Sequence, residues 1–168
     1  MAHSASILLF DKDPAKVIPP TIAAITSILQ SSLSEPMIKS FVFTSSATAC
    51  NNPKPNQSFS IDPTLWNEED IKGAWAPKED WKEGHEWIVY GASKTKAEKA
   101  LWKFRDEKKP NFAINSILPS TILGPVISPR EVTSTAGFIK GLYEGHTGFA
   151  TAVLPRSCFL FSYIQVLS

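Results

Sequence analysis

Tyr90 and Lys94 stand four residues apart in the run Tyr90-Gly91-Ala92-Ser93-Lys94. On a helix this spacing puts both side chains on one face, with Cβ atoms roughly 6 Å apart. A phenol has an unperturbed pKa of about 10. A neighbouring ammonium favours the phenolate and lowers that value. The pair could then donate or accept a proton near neutral pH. The same spacing also arises by chance, with the lysine simply extended into solvent. Neighbouring runs in the chain separate the two readings. Upstream, Phe41-Val42-Phe43-Thr44-Ser45-Ser46-Ala47 is short, β-branched and aromatic, and it ends in hydroxyls. Downstream, Phe112 to Leu118 is a second apolar run, ending in Pro119-Ser120-Thr121-Ile122-Leu123-Gly124-Pro125. In parallel α/β sheets, ligands sit beyond the carboxyl ends of strands. A serine hydroxyl there could donate to a carbonyl oxygen, beside the Tyr/Lys helix.

The elements that must hold these residues are legible in outline. Residues 14 to 34 predict a helix with Ile22, Ile25, Ile28 and Leu29 on one face. Pro19 and Pro20 would start a new helix or kink this one, and Pro36 ends it. Residues 40 to 45 predict a buried strand, apolar on both faces, which suits a parallel sheet covered by helices. Residues 51 to 88 predict a long excursion containing Pro53, Pro55, Pro63 and Pro77, with a short helical turn from Glu68 to Ala74. Its tryptophans, Trp66, Trp75, Trp81 and Trp87, are either packing anchors or walls of a substrate pocket. Residues 88 to 108 predict the clearest helix. Ala92, Ala97, Ala100, Leu101 and Phe104 mark its apolar side; Glu98, Lys103, Asp106 and Glu107 mark a wet side. Lys108-Lys109-Pro110 closes it. A strand over 112–118 and a helix over 134–144 follow. Gly137, Gly141, Gly145 and Gly148 read as small packing positions in that late helix. This order of elements is an α/β pattern with parallel strands.

Composition narrows the classes. In 168 residues, hydrophobic types make up 43% and charged types 20%, enough apolar material for a packed core. Seventeen Lys plus Arg against sixteen Asp plus Glu leave a net charge of +1, which argues against nucleic-acid binding through bulk charge. Cys50 and Cys158 are too far apart for a metal motif, the three histidines are scattered, and no H-E-x-x-H pattern occurs, so no metal is expected. The start lacks a basic signal-peptide region, and the apolar end is shorter than the roughly 20 residues of a membrane span. A cytoplasmic protein without a membrane partner is the resulting expectation.

Several stretches together carry a resemblance: Ala2-His3-Ser4-Ala5-Ser6, Asp13-Pro14, Phe41 to Ala47, Trp66-Asn67, Tyr90 through Lys99, and Pro119 to Pro125. The chain resembles part of an extended short-chain dehydrogenase/reductase of the epimerase/dehydratase superfamily. It is most similar to the fungal branch of the dihydroflavonol reductase, cinnamoyl-CoA reductase and methylglyoxal reductase group. The resemblance implies a partial Rossmann fold, a doubly wound parallel sheet spanning residues 1–149. It implies Ser46 orienting a substrate carbonyl, Tyr90 donating the proton, and Lys94 lowering the tyrosine pKa and binding the nicotinamide ribose. Ser45 competes with Ser46 for the serine role. Ala5, Thr44, Pro119, Thr121, Ile122 and Ser134 are implied as cofactor contacts. The implied cofactor is NADP, with NAD the alternative, and the implied substrate is a ketone or aldehyde, in fungal secondary metabolism. The other readings are an inactive portion that needs a separate N-terminal half or an oligomer, and a sugar-nucleotide epimerase.

The resemblance has two gaps. The family's Gly-x-x-Gly-x-x-Gly turn cradles the pyrophosphate, and here the first glycine is Gly73. Met1 aligns near the end of the family's fourth strand, so the sheet is expected to be truncated at its N-terminus. Residues 150–168 carry no acidic residue and match nothing expected of the family, so truncation at the C-terminus with a divergent tail is expected too.

Overall fold

Three strands run parallel and in chain order: β1 (Ala2–His3), β2 (Ser40–Thr44) and β3 (Ala113–Leu118). The computed structural model describes residues 1–7, 9–52, 58, 60–122, 134–146 and 163–165. Among the described residues four α-helices accompany the strands: α1 (Pro14–Leu33), α2 (Glu68–Ala74), α3 (His85–Lys108) and α4 (Ser134–Tyr143). α1 carries the chain from β1 to β2, and α2 and α3 carry it from β2 to β3. Phe41 pairs with Ile114 and Thr44 with Ile117, so both strands end at the same edge. This is the Rossmann-like α/β arrangement that the order of elements predicts. A fourth strand, β4 (Tyr163–Gln165), lies antiparallel to β3, with Ile164 opposite Ile117. This strand lies in the stretch expected to be a divergent tail, and its direction departs from the all-parallel expectation.

α1 begins where Asp13 accepts a hydrogen bond from the Ala15 N–H at 3.0 Å. Pro14 takes the first position, where an N–H has no partner to lose. No new helix starts at Pro19 and Pro20: one helix runs from Pro14 to Leu33 with both inside it. Both prolines are exposed, as are Ala15 and Lys16, whose carbonyls lose their helical donors. The buried side of α1 is longer than expected, because Val17 and Ile18 join Ile25 and Leu29.

The main core packs Ile25 and Leu29 of α1 against Ala97, Leu101 and Phe104 of α3 and against Phe41, Phe43 and Ile114 of the sheet. β2 alternates. Phe41 and Phe43 are buried, while Ser40, Val42 and Thr44 are half-buried on the other side. The strand expected to be covered on both faces is thus fully buried on one, and Val42 is its only apolar residue on the other. A second cluster joins Val17 and Ile18 to Ala74, Val89 and Ala92, between the three helices.

α3 starts three residues before the predicted boundary. Gly84 precedes it in a left-handed conformation, φ 83°. Lys109 ends it at φ 45°, its N–H bonded to the Arg105 carbonyl at 2.9 Å. One side chain departs sharply from the periodic reading. Glu98, expected on the wet side, is fully buried. It follows Lys94 by four residues and precedes Leu101 by three, which is the inward stripe of a helix wrapped by α1, α2 and the sheet.

α2 forms over the seven predicted residues. α4 ends in a Schellman turn, with His146 N–H bonded to Gly141 O and Gly145 N–H to Leu142 O. Gly145 holds φ 89°, so it terminates that helix and does not pack within it. Gly148 lies outside the described residues. No helix among the described residues is long and apolar enough to cross a membrane.

Candidate active site

The two serines after β2 point different ways, as successive residues of an extended chain must. Ser45 is buried and donates its hydroxyl to Glu98 Oε2 at 2.5 Å. Ser46, at φ −158°, caps the short turn Ala47–Ala49. Its oxygen accepts from the Thr48 amide at 3.3 Å and from the Thr48 hydroxyl at 3.0 Å. The same Ser46 side chain interacts with the Tyr90 phenol and favours its ionised form. Burial acts more strongly the other way and raises the Tyr90 pKa above the ordinary phenol value.

Lys94 is not in solvent. It is 4% exposed, and its ammonium donates to the Thr44 carbonyl at 3.5 Å. The Nζ lies 5.8 Å from the ring centres of both Phe43 and Tyr90. Burial lowers the Lys94 pKa to about 8, while the charge of Glu98 pulls it upward. Three hydrogens on the ammonium exceed the one carbonyl it holds. It also borders a cleft of about 150 Å³, lined by His3, Ala5, Ser6, Thr21 and Phe43. Burial, and then the Lys94 charge, lower the His3 pKa, so the cleft disfavours a second cation.

The other expected site residues fall in three places. Ala5 lines the cleft, and Thr44 supplies the carbonyl that Lys94 holds. The Pro119 carbonyl accepts from Ala47 N at 2.9 Å, which joins the end of β3 to the turn after Ser46. Thr121 is half-buried and Ile122 is 61% exposed beyond β3, and Ser134 opens α4 further along the chain. Ser46, Tyr90, Lys94, Thr44 and Ala5 are therefore gathered at one strand edge, with Pro119 attached through its backbone.

The excursion braces this site. Asn67 caps α2 by accepting from Asp70 N at 3.0 Å, and its amide donates to Thr48 O and to Asp70 Oδ2, both at 2.8 Å. Asn52 donates to Asp70 Oδ1 at 2.7 Å. Asp70 is buried against Gly91, next to Tyr90, and a Cβ at Gly91 would overlap its carboxylate. Of the tryptophans, Trp81 bonds Ala76 O at 2.9 Å and stacks on His85, and Trp66 packs against the main core beneath Lys99. Trp75 is exposed. Trp87 stands apart from these anchors: its ring lies 6.3 Å from Tyr90 and 4.6 Å from Phe10, and Phe10 lies 5.7 Å from Tyr90. Phe10 holds φ 45°, an uncommon conformation for an aromatic residue. No periodic pattern announces Phe10 or Asp70 at the site. Glu98 had a signal, because it continues the four-residue spacing of Tyr90 and Lys94.

Comparison with known proteins identifies the family. The NAD-binding family described as male sterility protein matches residues 1–159. The NAD-dependent epimerase/dehydratase terH of Aspergillus terreus is 38% identical over 144 residues, 86% of this chain and 42% of that protein. Aldehyde reductase 2 of Sporidiobolus salmonicolor is 37% identical over 162 residues, 95% of this chain and 47% of that protein. Among solved structures, the yeast methylglyoxal/isovaleraldehyde reductase Gre2 complexed with NADPH superposes with a TM-score of 0.62 at 25% identity, over 79% of this chain and 39% of that one. The chain thus spans less than half the length of the curated relatives it matches. With that family matched along nearly its whole length, the chain belongs to the NAD-binding male sterility protein family, in the epimerase/dehydratase group of the short-chain dehydrogenase/reductases.

Proposed function

We propose that this chain carries the proton-transfer half of an NADPH-dependent reductase acting on a ketone or aldehyde, with Tyr90 as proton donor. One observation carries the reading: Ser46 and Lys94 both approach Tyr90 at the carboxyl end of β2. The Ser46 hydroxyl would hold the substrate oxygen in line with the phenol. Tyr90 would pass its proton to that oxygen as charge develops there. The Lys94 ammonium would stabilise the phenolate left behind. Its free hydrogens and the small Ala5 beside it fit a ribose and the nicotinamide end of a dinucleotide. Bound there, NADPH would supply the hydride. The family's NAD-binding character and the NADPH held by the yeast reductase support the choice of cofactor. The fungal relatives support a fungal reductase, and secondary metabolism is the setting we add.

A cleft of about 150 Å³ accommodates one end of a dinucleotide only. No glycine precedes Gly73, so these residues offer no glycine turn for the pyrophosphate. The chain by itself is expected to bind NADPH poorly and to reduce no carbonyl. The test is carbonyl reduction by the chain alone and by the chain supplied with the glycine-turn half of a relative. Turnover in the mixture only, cut by about 10²–10⁴ in Tyr90→Phe, is the expected result. Near-normal turnover in Tyr90→Phe would remove Tyr90 from the donor role. Micromolar NADPH binding by the chain alone would show that it is self-sufficient.

A further inference from the structure

α3 meets the end of β2 through a stripe of side chains four residues apart. Tyr90 meets Ser46, Lys94 holds the Thr44 carbonyl, and Glu98 takes the Ser45 hydroxyl. Three consecutive residues of the strand end are thus each held by a successive turn of one helix. Glu98 is the innermost of the three. It has no exposure, and its donors are neutral: the Ser45 hydroxyl and the Trp102 indole at 3.4 Å. Lys94 bonds Thr44, and no ion pair within 4.0 Å joins it to Glu98. A buried carboxylate held by neutral donors from the end of β2 and its own helix is an expensive arrangement that an apolar side chain of the same size would avoid.

We propose that Glu98 is a positioning residue that sets the register of α3 on the end of β2, turning Ser45 inward so that Ser46 faces Tyr90. This rests on the reading of Ser46 and Tyr90 as a working pair, and it assigns the choice between the adjacent serines to a residue outside that pair. The link is one of reach. Glu98 spans from α3 to Ser45, and a carboxylate one methylene shorter would not.

The test is a titration of the tyrosine ring carbons by NMR in the full chain, which needs neither cofactor nor turnover. Lys94 approaches the Tyr90 ring along α3, Asp70 of α2 lies against the adjacent Gly91, and Phe10, Trp87 and Ser46 approach Tyr90 as uncharged groups. Ser46→Ala removes the serine–tyrosine interaction directly and should raise the Tyr90 midpoint by about half to one pH unit. Ser45→Ala and Glu98→Asp leave the charge of the protein unchanged and should raise it in the same direction. The exposed Tyr143 serves as the control that does not move. A Tyr90 midpoint unchanged in folded Ser45→Ala, while Ser46→Ala moves it, would overturn the proposal even if Glu98→Asp failed to fold. A midpoint indifferent to Ser46→Ala would instead remove the serine–tyrosine pair on which the proposal stands.

Discussion

α3 presents two unlike surfaces. Towards α1 it is apolar: Val89, Ala92, Ala97 and Leu101 meet Val17, Ile18, Ile25 and Leu29. Towards the strand ends and α2 it buries polar groups: Lys94 on Thr44, Glu98 on Ser45, and Gly91 beneath the Asp70 carboxylate. Apolar contact is non-directional and roughly proportional to the area removed from water, so it holds helices together without dictating the last ångström. A buried hydrogen bond is directional and costly to leave unmade. The first surface therefore supplies cohesion and the second supplies register, and the candidate site lies on the second.

Four measurements would break or sharpen that contrast. Leu101→Ala removes a fully buried side chain from the cohesive surface and should cost about 2–5 kcal/mol in denaturant unfolding. A loss below about 1 kcal/mol would mean that the apolar surface is not where stability resides. The second concerns charge on the register surface. The folded Lys94 releases its proton near pH 8 and the unfolded one near 10.5. Between those values the unfolded chain binds more protons, so stability rises with pH. The rise is at most about 3 kcal/mol and should vanish in Lys94→Met. A slope that persists in Lys94→Met would assign the titration to another group.

Gly91→Ala adds one methyl group where the Asp70 carboxylate sits, and α2 must shift to admit it. The expected loss is about 1–3 kcal/mol, read in the same unfolding experiment. A neutral effect would show that the α2–α3 contact yields as easily as an apolar one. Ile25→Val, on the cohesive surface, is the smallest change and should cost about 0.5–1.5 kcal/mol while leaving the Tyr90 titration unmoved. A Tyr90 midpoint displaced by Ile25→Val would mean that register is set by the apolar surface after all.

Much of this molecule is written locally. The apolar spacing of Ile25 and Leu29, the aromatic run at Phe41 and Phe43, and the acidic start of α2 are short-range patterns, and each produced the element it predicted. Tyr90 and Lys94 were found in the same way, because four-residue spacing on a helix is itself local. The errors share a cause. Proline rules allow a new helix to start at Pro19 and Pro20, because propensity takes no account of the packing of Val17, Ile18, Ile25 and Leu29 that holds one helix through both. Glu98 was read as wet because amphipathic periodicity assumes that one side of a helix faces solvent, and α3 is enclosed by α1, α2 and the sheet.

The chain's own residue order determined the elements, their sequence, and the helix face that bears Tyr90 and Lys94. Which serine meets the phenol, where the Lys94 ammonium rests, and why residue 91 is glycine were decided only when β2, α2 and α3 came together. Each of those depends on a partner distant in the chain: Ser46 on Tyr90, Thr44 on Lys94, Asp70 on Gly91. Local patterns encode burial and backbone preference, whereas a hydrogen bond between distant residues exists only once packing has set its distance and desolvated its ends.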